Sequence, residues 1–298
     1  MNRRKRFREL MAAPGMTLAP GAYDALSARI IEQQGFDVVV AGGYAAVGSM
    51  MAQPDTGQSN PRDYADHYRR ICAAVSVPVY VDGDTGFGGV NNVREMVRAF
   101  EDAGVAGLFI GDQAFPPRCG YMAGKQLVPV EDMLAKLKAA LDARRDPDLF
   151  IVARTDALSV EGLDGAIARA QAYMEIGVDM AKVVGADQVD SFTRVKREVP
   201  GPQMANMSNA NPKGMATPAQ MEAAGAAMLT FPSAALFAAV GAVTRAMASL
   251  KRTGTLEESR PSFCSLDEYY ALVGLNEQKD TEQRYIDAAK ETLKRMGR

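Results

Sequence analysis

Histidine is almost absent from this chain, since His67 is the only one among 298 residues. Mechanisms that need a Ser–His pair or several histidine metal ligands are therefore effectively excluded. His67 lies in the polar segment 63–70, for which we predict a helix with this side chain at the surface. Acid–base chemistry is then expected from Asp, Glu, Cys, Tyr or Lys side chains.

Cysteine, excess charge and long apolar runs are also scarce. The three cysteines, Cys72, Cys119 and Cys264, are odd in number and far apart, which predicts reduced thiols in a cytoplasm. A net charge of −2 gives no electrostatic footprint for nucleic acid or an anionic membrane. No run approaches a membrane span, and the basic start is followed by Glu9 and Pro14 rather than by a signal peptide's apolar run. We expect a cytoplasmic protein without membrane or nucleic-acid partners.

Short apolar runs alternate with helical patterns along most of the chain. The predicted strands are 17–19, 38–41, 77–82, 107–110, 150–154, 180–184, 203–206 and 227–231, and the predicted helices include 25–34, 93–103, 130–143, 163–176, 189–198 and 218–224. Such alternation favours parallel βαβ units, and eight units close a (β/α)8 TIM-type barrel. We predict this α/β barrel, with an N-terminal helix, over residues 1–247. Residues 248–298 are predicted to be a helical extension of the same domain, with no strand of its own to cover.

Two carboxylates stand two residues apart where the third predicted strand ends. Asp82 and Asp84 follow the apolar run 77–81 and precede glycines. Residues i and i+2 of a strand point to one face, so both carboxylates can converge on one point. Carboxylate oxygens at such a position suit Mg²⁺ or Mn²⁺. An ordinary Asp-Gly turn with a solvated aspartate is the alternative.

Catalytic groups of a TIM barrel sit at the C-terminal ends of its strands. The other predicted strand ends carry Gly42, Gly43, Asp112, Gln113, Arg154, Asp156, Asn206, Pro232 and Ser233. This set suits a small, multiply anionic substrate held around a divalent cation. Arg154 is a candidate bidentate clamp for a substrate carboxylate, and an ion pair with Asp156 is its alternative.

A long loop with glycine and proline, residues 114–125, follows the fourth predicted strand and is typical of a lid. Cys119 lies beside Arg118 in this loop, and a neighbouring cation lowers the pKa of a thiol. Cys119 is therefore a candidate acid or base. Cys72 and Cys264 are expected to be inert core residues.

Together these motifs resemble the isocitrate lyase/phosphoenolpyruvate mutase superfamily, nearest to its 2-methylisocitrate lyase type. The resemblance covers nearly the whole chain and is carried by Gly42-Gly43, Pro54-Asp55, the 82–88 motif, Asp112-Gln113, Arg118-Cys119-Gly120, the run 153–157, Asn206 and Pro232-Ser233. It implies a homotetramer, a dimer of dimers with exchanged C-terminal helices. It also implies Mg²⁺ near Asp82 and Asp84, with Asp55 and Asp112 in the shell around the metal.

The resemblance also implies an activity. Family lyases cleave the C–C bond of a 2-hydroxy di- or tricarboxylate to give a 2-oxo acid and a second carboxylate. By this resemblance, Cys119 protonates the departing carbon, Arg154 binds carboxylate, and the loop around Arg118 and Gly120 closes over the substrate. The mouth residues Gly42, Gly43, Asn206, Pro232 and Ser233 are expected to bind the substrate.

Several family residues are replaced in this chain. Gly111 stands where the family has glutamate, a second glutamate is lost within Val184-Gly185-Ala186, and Tyr121 replaces the loop histidine. Fewer carboxylates should weaken cation binding. The lost loop histidine should leave the Cys119 thiol less acidic, so Tyr121 or Tyr44 is a candidate replacement proton donor or acceptor. Lys182 is either an inward cation near the lost carboxylates or a solvated outer residue.

We therefore predict a Mg²⁺-assisted carbon–carbon lyase acting on a methylisocitrate- or dimethylmalate-like substrate. Two alternatives remain open: an oxaloacetate-type hydrolase or decarboxylase on the same scaffold, and a metal-poor ligand-binding descendant. A nucleotide-binding module prompted by 86–89 fits poorly, since its glycine spacing matches neither the dinucleotide fingerprint nor a P-loop.

Overall fold

The computed structural model describes residues 2–118, 124–207 and 216–297. Two compact units are distinguished, Met1–Ala238 and Ala239–Arg298. The first unit contains the eight strands β1 Thr17–Pro20, β2 Val39–Ala41, β3 Val79–Asp82, β4 Gly107–Gly111, β5 Phe150–Thr155, β6 Met180–Val183, β7 Met204–Asn206 and β8 Met228–Phe231. All eight predicted strands are present, with ends shifted by two residues or fewer.

The helices of the first unit are α1 Arg3–Ala12, α2 Ala25–Gln33, α3 Gly43–Met51, α4 Pro61–Ala74, α5 Val90–Asp102, α6 Val130–Ala143, α7 Gly162–Glu175, α8 Val189–Glu198 and α9 Pro218–Ala223. Helix α10, Ala234–Thr253, begins in the first unit and ends in the second, which also holds α11 Leu266–Val273 and α12 Leu275–Arg295. The predicted boundary at 247 between barrel and extension stays a prediction.

All strand pairs are parallel, as a barrel of βαβ units requires. Strands β2 to β6 pair in sequence order, β1 and β7 flank β8, and a single bridge between Gly21 and Val40 links β1 to β2. The register aligns Gly111 of β4 with Arg154 of β5, and Arg154 with Lys182 of β6. Adjacent strands therefore present these residues at one height. The predicted α/β fold with a TIM-type arrangement is confirmed.

Helix α1 contributes to the cluster of side chains inside the barrel. Its Phe7 and Met11 are buried with the inward residues of the strands. The Phe7 ring stacks on Tyr80 at a centroid distance of 5.7 Å. Gly107 leaves room for this ring, since a Cβ there would lie 3.0 Å from Phe7 Cε1. An aromatic column thus closes the barrel below its catalytic end.

Local sequence signals explain several helix starts. Asp24 and Ser27 form a reciprocal capping box at the start of α2. Asn60 caps α4, whose first residue is Pro61, where a missing N–H costs nothing. Helix α3 was not predicted, because Gly42 and Gly43 were interpreted only as ligand-approach residues.

His67 is buried, so its predicted surface position was wrong. It lies on the inner side of α4, next to Tyr68 at a ring-centroid distance of 6.0 Å, and is 6% exposed. Tyr64, Tyr68 and Ile71 recur at spacings of three and four and define the buried face to which His67 is adjacent. Burial lowers the pKa of His67, which favours the neutral imidazole.

The cysteine predictions divide. Cys72 is buried, as predicted, and burial raises its pKa to about 12. Cys264 is exposed in the second unit, so its predicted core position was wrong. It lies next to the α11 N-cap Ser265, and its neighbours Phe263 and Leu266 are exposed as well.

Helix α10 is long and apolar enough, by length and composition only, to cross a membrane. The expectation that no segment reaches this length was therefore wrong. Core helices of soluble proteins can also satisfy this criterion of length and apolar composition. Within the second unit, Phe263, Leu266, Tyr285 and Met296 are exposed apolar side chains.

Candidate active site

A cavity of about 230 Å³ opens where the strands of the barrel end. It brings together most of the predicted site residues, namely Gly42, Gly43, Asp55, Asp82, Asp84, Arg118, Arg154, Asn206, Pro232 and Ser233. Tyr44 also lines it, with its ring edge-on to Phe237 at 6.1 Å. The C-terminal ends of the strands therefore meet in one chamber, as the fold requires.

Asp82 is fixed by the backbone around it. Its Oδ2 accepts a hydrogen bond from the N–H of Gly43 at 2.9 Å, and its Oδ1 accepts one from Asp84 at 2.8 Å. Gly43 is the first residue of α3, so the carboxylate sits at a helix N-terminus. A Cβ at Gly43 would lie 2.9 Å from Asp82 Oδ2, which explains the glycine.

Asp84 and Asp55 share the negative side of the cavity with Asp82. Burial, followed by repulsion from Asp82, raises the pKa of Asp84 to about 7 and that of Asp55 to about 6. Burial also raises the pKa of Asp82, against the opposing effect of Arg154. Asp84 has a left-handed φ of 52°, which directs its carbonyl oxygen to the N–H of Gly111 at 2.7 Å. Within the described ranges, no group of three or more His, Cys, Asp or Glu residues has metal-binding geometry.

Arg154 belongs to a buried charge cluster with Asp156 and Lys125. Its Nε and Nη2 donate to the two oxygens of Asp156 at 2.9 and 3.1 Å, and Lys125 Nζ donates to Oδ1 at 3.1 Å. Burial alone would raise the pKa of Asp156, but the two cations hold it below its ordinary value. The ion pair foreseen as the alternative for Arg154 is therefore present, and Arg154 also lines the cavity.

Lys182 points into the cavity, so the outer solvated position was wrong. It is 4% exposed and its Nζ donates to Asn206 Oδ1 at 2.6 Å. Thr230 Oγ1 also donates to that amide oxygen. The alternation of residues along β6 could have predicted this inward position, because Ala181 and Val183 on either side of Lys182 face outward.

Aromatic residues form the floor of the cavity, and sequence reasoning missed them as site residues. Arg154 Cζ lies 5.2 Å and Lys182 Nζ 6.0 Å from the centroid of the Phe109 ring. Tyr80 packs against Phe109 at 6.0 Å. Its buried hydroxyl finds no hydrogen-bond partner among the residues that the structure describes. The sequence could have predicted their place, because Tyr80 and Phe109 lie two residues before Asp82 and Gly111 and so face the same side of β3 and β4.

The long loop after β4 is held at its base. Gln113 Oε1 accepts from the Arg118 N–H and its Nε2 donates to the Arg118 carbonyl, both at 2.9 Å. A bridge between Gln113 and Leu127 joins the two arms of the loop. Arg118 is thereby placed at the cavity wall. Cys119, Gly120 and Tyr121 lie outside the described residues, so their predicted roles stay predictions.

Asp112 is not brought together with the other three carboxylates. Thr155 Oγ1 donates to its Oδ2 at 2.6 Å, Tyr173 Oη donates to the same oxygen at 3.0 Å, and the Asp156 N–H donates to Oδ1 at 3.0 Å. Asp112 is fully buried and does not line the cavity. These bonds hold the ends of β4 and β5 together and fix the backbone of Asp156.

Comparison with known proteins identifies relatives along the whole chain. The family model described as phosphoenolpyruvate phosphomutase matches residues 7–251. The 2,3-dimethylmalate lyase of Eubacterium barkeri is 35% identical over 285 residues, which cover 96% of this chain and 99% of that protein. A probable 2-methylisocitrate lyase of Corynebacterium glutamicum is 38% identical over 256 residues, covering 86% of this chain and 84% of that protein.

Solved structures show the same architecture. Oxaloacetate acetylhydrolase in complex with 3,3-difluorooxalacetate superposes with a TM-score of 0.90 at 26% identity, covering 95% of this chain and 97% of that chain. Phosphonopyruvate hydrolase in complex with oxalate and Mg²⁺ gives a TM-score of 0.86 at 29% identity, covering 96% of this chain and 100% of that chain.

Proposed function

The chain belongs to the phosphoenolpyruvate mutase/isocitrate lyase superfamily of enzymes, and on that premise we propose that it is a Mg²⁺-assisted carbon–carbon lyase. The substrate proposed is a 2-hydroxy di- or tricarboxylate similar to methylisocitrate or dimethylmalate. The products are a 2-oxo acid and a second carboxylate. The similarity to enzymes named dimethylmalate lyase and 2-methylisocitrate lyase supports this class of substrate.

The observation that carries the proposal is the division of charge inside the cavity. Asp55, Asp82 and Asp84 line the same chamber as the basic side chains of Arg154 and Lys182. A hydroxy acid presents both an oxygen pair for a cation and carboxylates for arginine. The buried hydroxyls of Tyr80 and Thr85, which lack partners among the described residues, add to the case for a polar ligand.

The donor set fits the divalent cation that the family implies. Asp82 and Asp84 offer hard oxygen ligands. Burial, followed by repulsion from Asp82, raises the pKa values of Asp84 and Asp55, and a bound cation would offset this repulsion. Mg²⁺ is usually held by one or two carboxylates, with waters and substrate completing its shell. Held by these carboxylates, such a cation would supply Lewis-acid stabilisation of the charge that develops on the substrate oxygen.

The chain's own residues supply the remaining steps. Arg154 binds a substrate carboxylate while Asp156 keeps its guanidinium plane fixed. The backbone around Gly42 and Gly43 holds the oxo-acid half. The hydroxyl on C2 passes its proton to a carboxylate that lines the cavity, for which Asp55 is placed. As it does so, the C2–C3 bond breaks, its electron pair passes to C3, and a C=O bond forms at C2. In this proposal Cys119 gives its proton to C3, which completes the second carboxylate.

A product assay tests the proposal. The protein is incubated with methylisocitrate, dimethylmalate and related 2-hydroxy acids, with Mg²⁺ or with EDTA, and released pyruvate or glyoxylate is measured. We expect release that depends on Mg²⁺. Asp84→Asn and Cys119→Ser should each lower it by about 10²-fold or more.

Asp190→Asn and Cys264→Ser are the matched controls, because both side chains are exposed and lie outside the cavity lining. They should keep full activity. Release that persists in EDTA, or that survives Cys119→Ser, would reject the metal-assisted lyase with a cysteine acid. If no 2-hydroxy acid gives any pyruvate or glyoxylate, the lyase proposal is rejected altogether.

A second candidate function is hydrolysis or decarboxylation of an oxo acid such as oxaloacetate. It is favoured by the likeness to oxaloacetate acetylhydrolase, whose chain superposes over almost its full length. The same panel separates the two functions when oxaloacetate is added. Oxalate with acetate would indicate hydrolysis, and pyruvate with CO₂ would indicate decarboxylation.

We also propose that the chain forms a cytoplasmic homotetramer through its C-terminal helices. The exposed apolar side chains of the second unit, Phe263, Leu266, Tyr285 and Met296 among them, support an interface there. Light scattering coupled to size exclusion measures the mass directly. A monomer at micromolar concentration would reject this assembly.

A further inference from the structure

Lys182 is a buried amine at the centre of the cavity. It comes from β6, and the register places it beside Arg154 of β5. Its Nζ donates to the neutral amide oxygen of Asn206 at 2.6 Å. Among the described residues, no carboxylate oxygen lies within 4.0 Å of this nitrogen. The amine is thus oriented by an amide rather than held by an ion pair.

Lys125 provides the contrast within the same site. It is also buried, but its Nζ is ion-paired with Asp156 at 3.1 Å, and that carboxylate is fully buried as well. The Lys125 amine is therefore engaged by a buried carboxylate, whereas the Lys182 amine is oriented by a neutral amide. The two buried lysines thus have different surroundings.

The charges around Lys182 act in the same direction as its burial. Burial, and then the Arg154 guanidinium, lower the pKa of Lys182 to about 7, against the opposing carboxylates Asp82, Asp156 and Asp187. Lysines that act as nucleophiles toward carbonyl compounds are activated in these two ways, by desolvation and by a neighbouring cation. A sizeable fraction of Lys182 is then neutral near pH 7.

We propose that Lys182 is a covalent catalytic residue that forms an imine with the carbonyl carbon of a 2-oxo acid bound in the cavity. The Nζ lone pair attacks C2, the carbonyl oxygen takes up protons and leaves as water, and a C2=N bond forms. Water hydrolyses the imine and returns both the amine and the oxo acid. No oxidant, reductant or second substrate is needed.

The surrounding residues suit this ligand. Arg154 stands next to Lys182 in the strand register and can bind the carboxylate adjacent to the carbonyl. The Phe109 ring lies under the Arg154 guanidinium and the Lys182 amine, which places the two side chains over one surface. The inference depends on the proposed function only in taking a 2-oxo acid as a ligand of the cavity. It does not depend on the cleavage reaction.

Reductive trapping tests the imine directly. Pyruvate or glyoxylate is added to the full-length protein in EDTA with sodium cyanoborohydride, and the modified residue is located by proteolysis and mass spectrometry. We expect one adduct per chain, on Lys182, which should disappear in Lys182→Met and Lys182→Arg. Lys138→Met is the matched control, because Lys138 is a solvent-exposed lysine paired with Asp142. This variant should keep the adduct. Oxalate should compete with the oxo acid for the cavity and so reduce the amount of adduct on Lys182.

Site mapping in the unmodified sequence keeps the test valid even if a variant fails to fold. An adduct spread over surface lysines, or absent from Lys182 at saturating oxo acid, would overturn the inference. A Lys182 adduct in a protein that cleaves no hydroxy acid would uphold it and remove the proposed lyase. Mg²⁺-dependent cleavage without any Lys182 adduct would do the reverse.

Discussion

Replacing Asp156 by asparagine removes one negative charge from a site where it holds two cations. The side chain of Asp156 is fully buried, that of Lys125 is 4% exposed and that of Arg154 18%. An asparagine has one acceptor oxygen instead of two, and its amide N–H group would face a donor. Removing one partner of a buried ion pair typically costs about 3–5 kcal/mol. We expect Asp156→Asn to lower the free energy of unfolding by this amount.

The exposed pair of Lys138 and Asp142 is a matched control for the same substitution. Its Nζ–Oδ1 distance is 2.7 Å, but its side chains are 60% and 58% exposed. Asp142→Asn should cost less than about 1 kcal/mol, because water screens the pair. Urea denaturation followed by circular dichroism measures both losses. For a chain of this size, the Asp156 loss corresponds to a melting temperature lower by roughly 5–8 °C.

The two outcomes are easily separated. A loss for Asp156→Asn no greater than that for Asp142→Asn would refute the reasoning, because it would mean that burial adds nothing to the pair. The variant should also weaken binding of 2-oxo acids, since Arg154 loses the anchor that fixes its plane. Unchanged binding would show that Arg154 does not hold the ligand carboxylate.

Three further predictions follow from contacts in and around the cavity. Tyr80→Phe should stabilise the fold by about 1 kcal/mol, because it removes a buried hydroxyl that has no partner among the described residues. Tyr173→Phe should destabilise the fold by about 1–3 kcal/mol, because it removes the hydrogen bond to Asp112. Thermal melts measure both changes, and stability changes of the same sign in the two variants would contradict this prediction. The raised pKa values of Asp84 and Asp55 favour folding below about pH 4, and this stabilisation is lost as pH rises through about 6 to 7. Urea denaturation in EDTA at about pH 5 and about pH 8 should show this decline, and Asp84→Asn should reduce it. Gln113→Ala removes two hydrogen bonds to the Arg118 backbone, each worth about 1 kcal/mol, and should raise KM more than it lowers kcat.

The sequence was sufficient for the order of the strands and for most of the cavity. Alternating apolar runs fix the strands, and the fold then assigns their ends to one chamber, which is why Asp82, Arg154 and Asn206 were found together. Strand ends shifted by one or two residues without consequence, since the inward phase of each strand is set by its period of two.

Residues whose roles depend on three-dimensional neighbours could not be assigned in this way. Asp112 directly follows β4 and Asp82 ends β3, so their positions in the sequence are alike. The Asp112 carboxylate nevertheless accepts hydrogen bonds from Thr155 and Tyr173, and no local sequence pattern shows that these residues lie close to it. His67 was misplaced because charged neighbours on α4 masked the buried face beneath them. Lys182 was ambiguous because burial of a lysine depends on what faces it.

The aromatic column inside the barrel has a consequence for the order of folding. Phe7 contacts Tyr80 and Phe150, and Arg4 is ion-paired with Asp146, so one of the first segments of the chain makes contacts some 70 to 140 positions away. Contacts of such long range form late, because the loop they close is entropically costly. During synthesis α1 must therefore wait until β5 has emerged. Until then the barrel end that it closes is exposed to other apolar chains, and this is the stage at which a chaperone would be most useful.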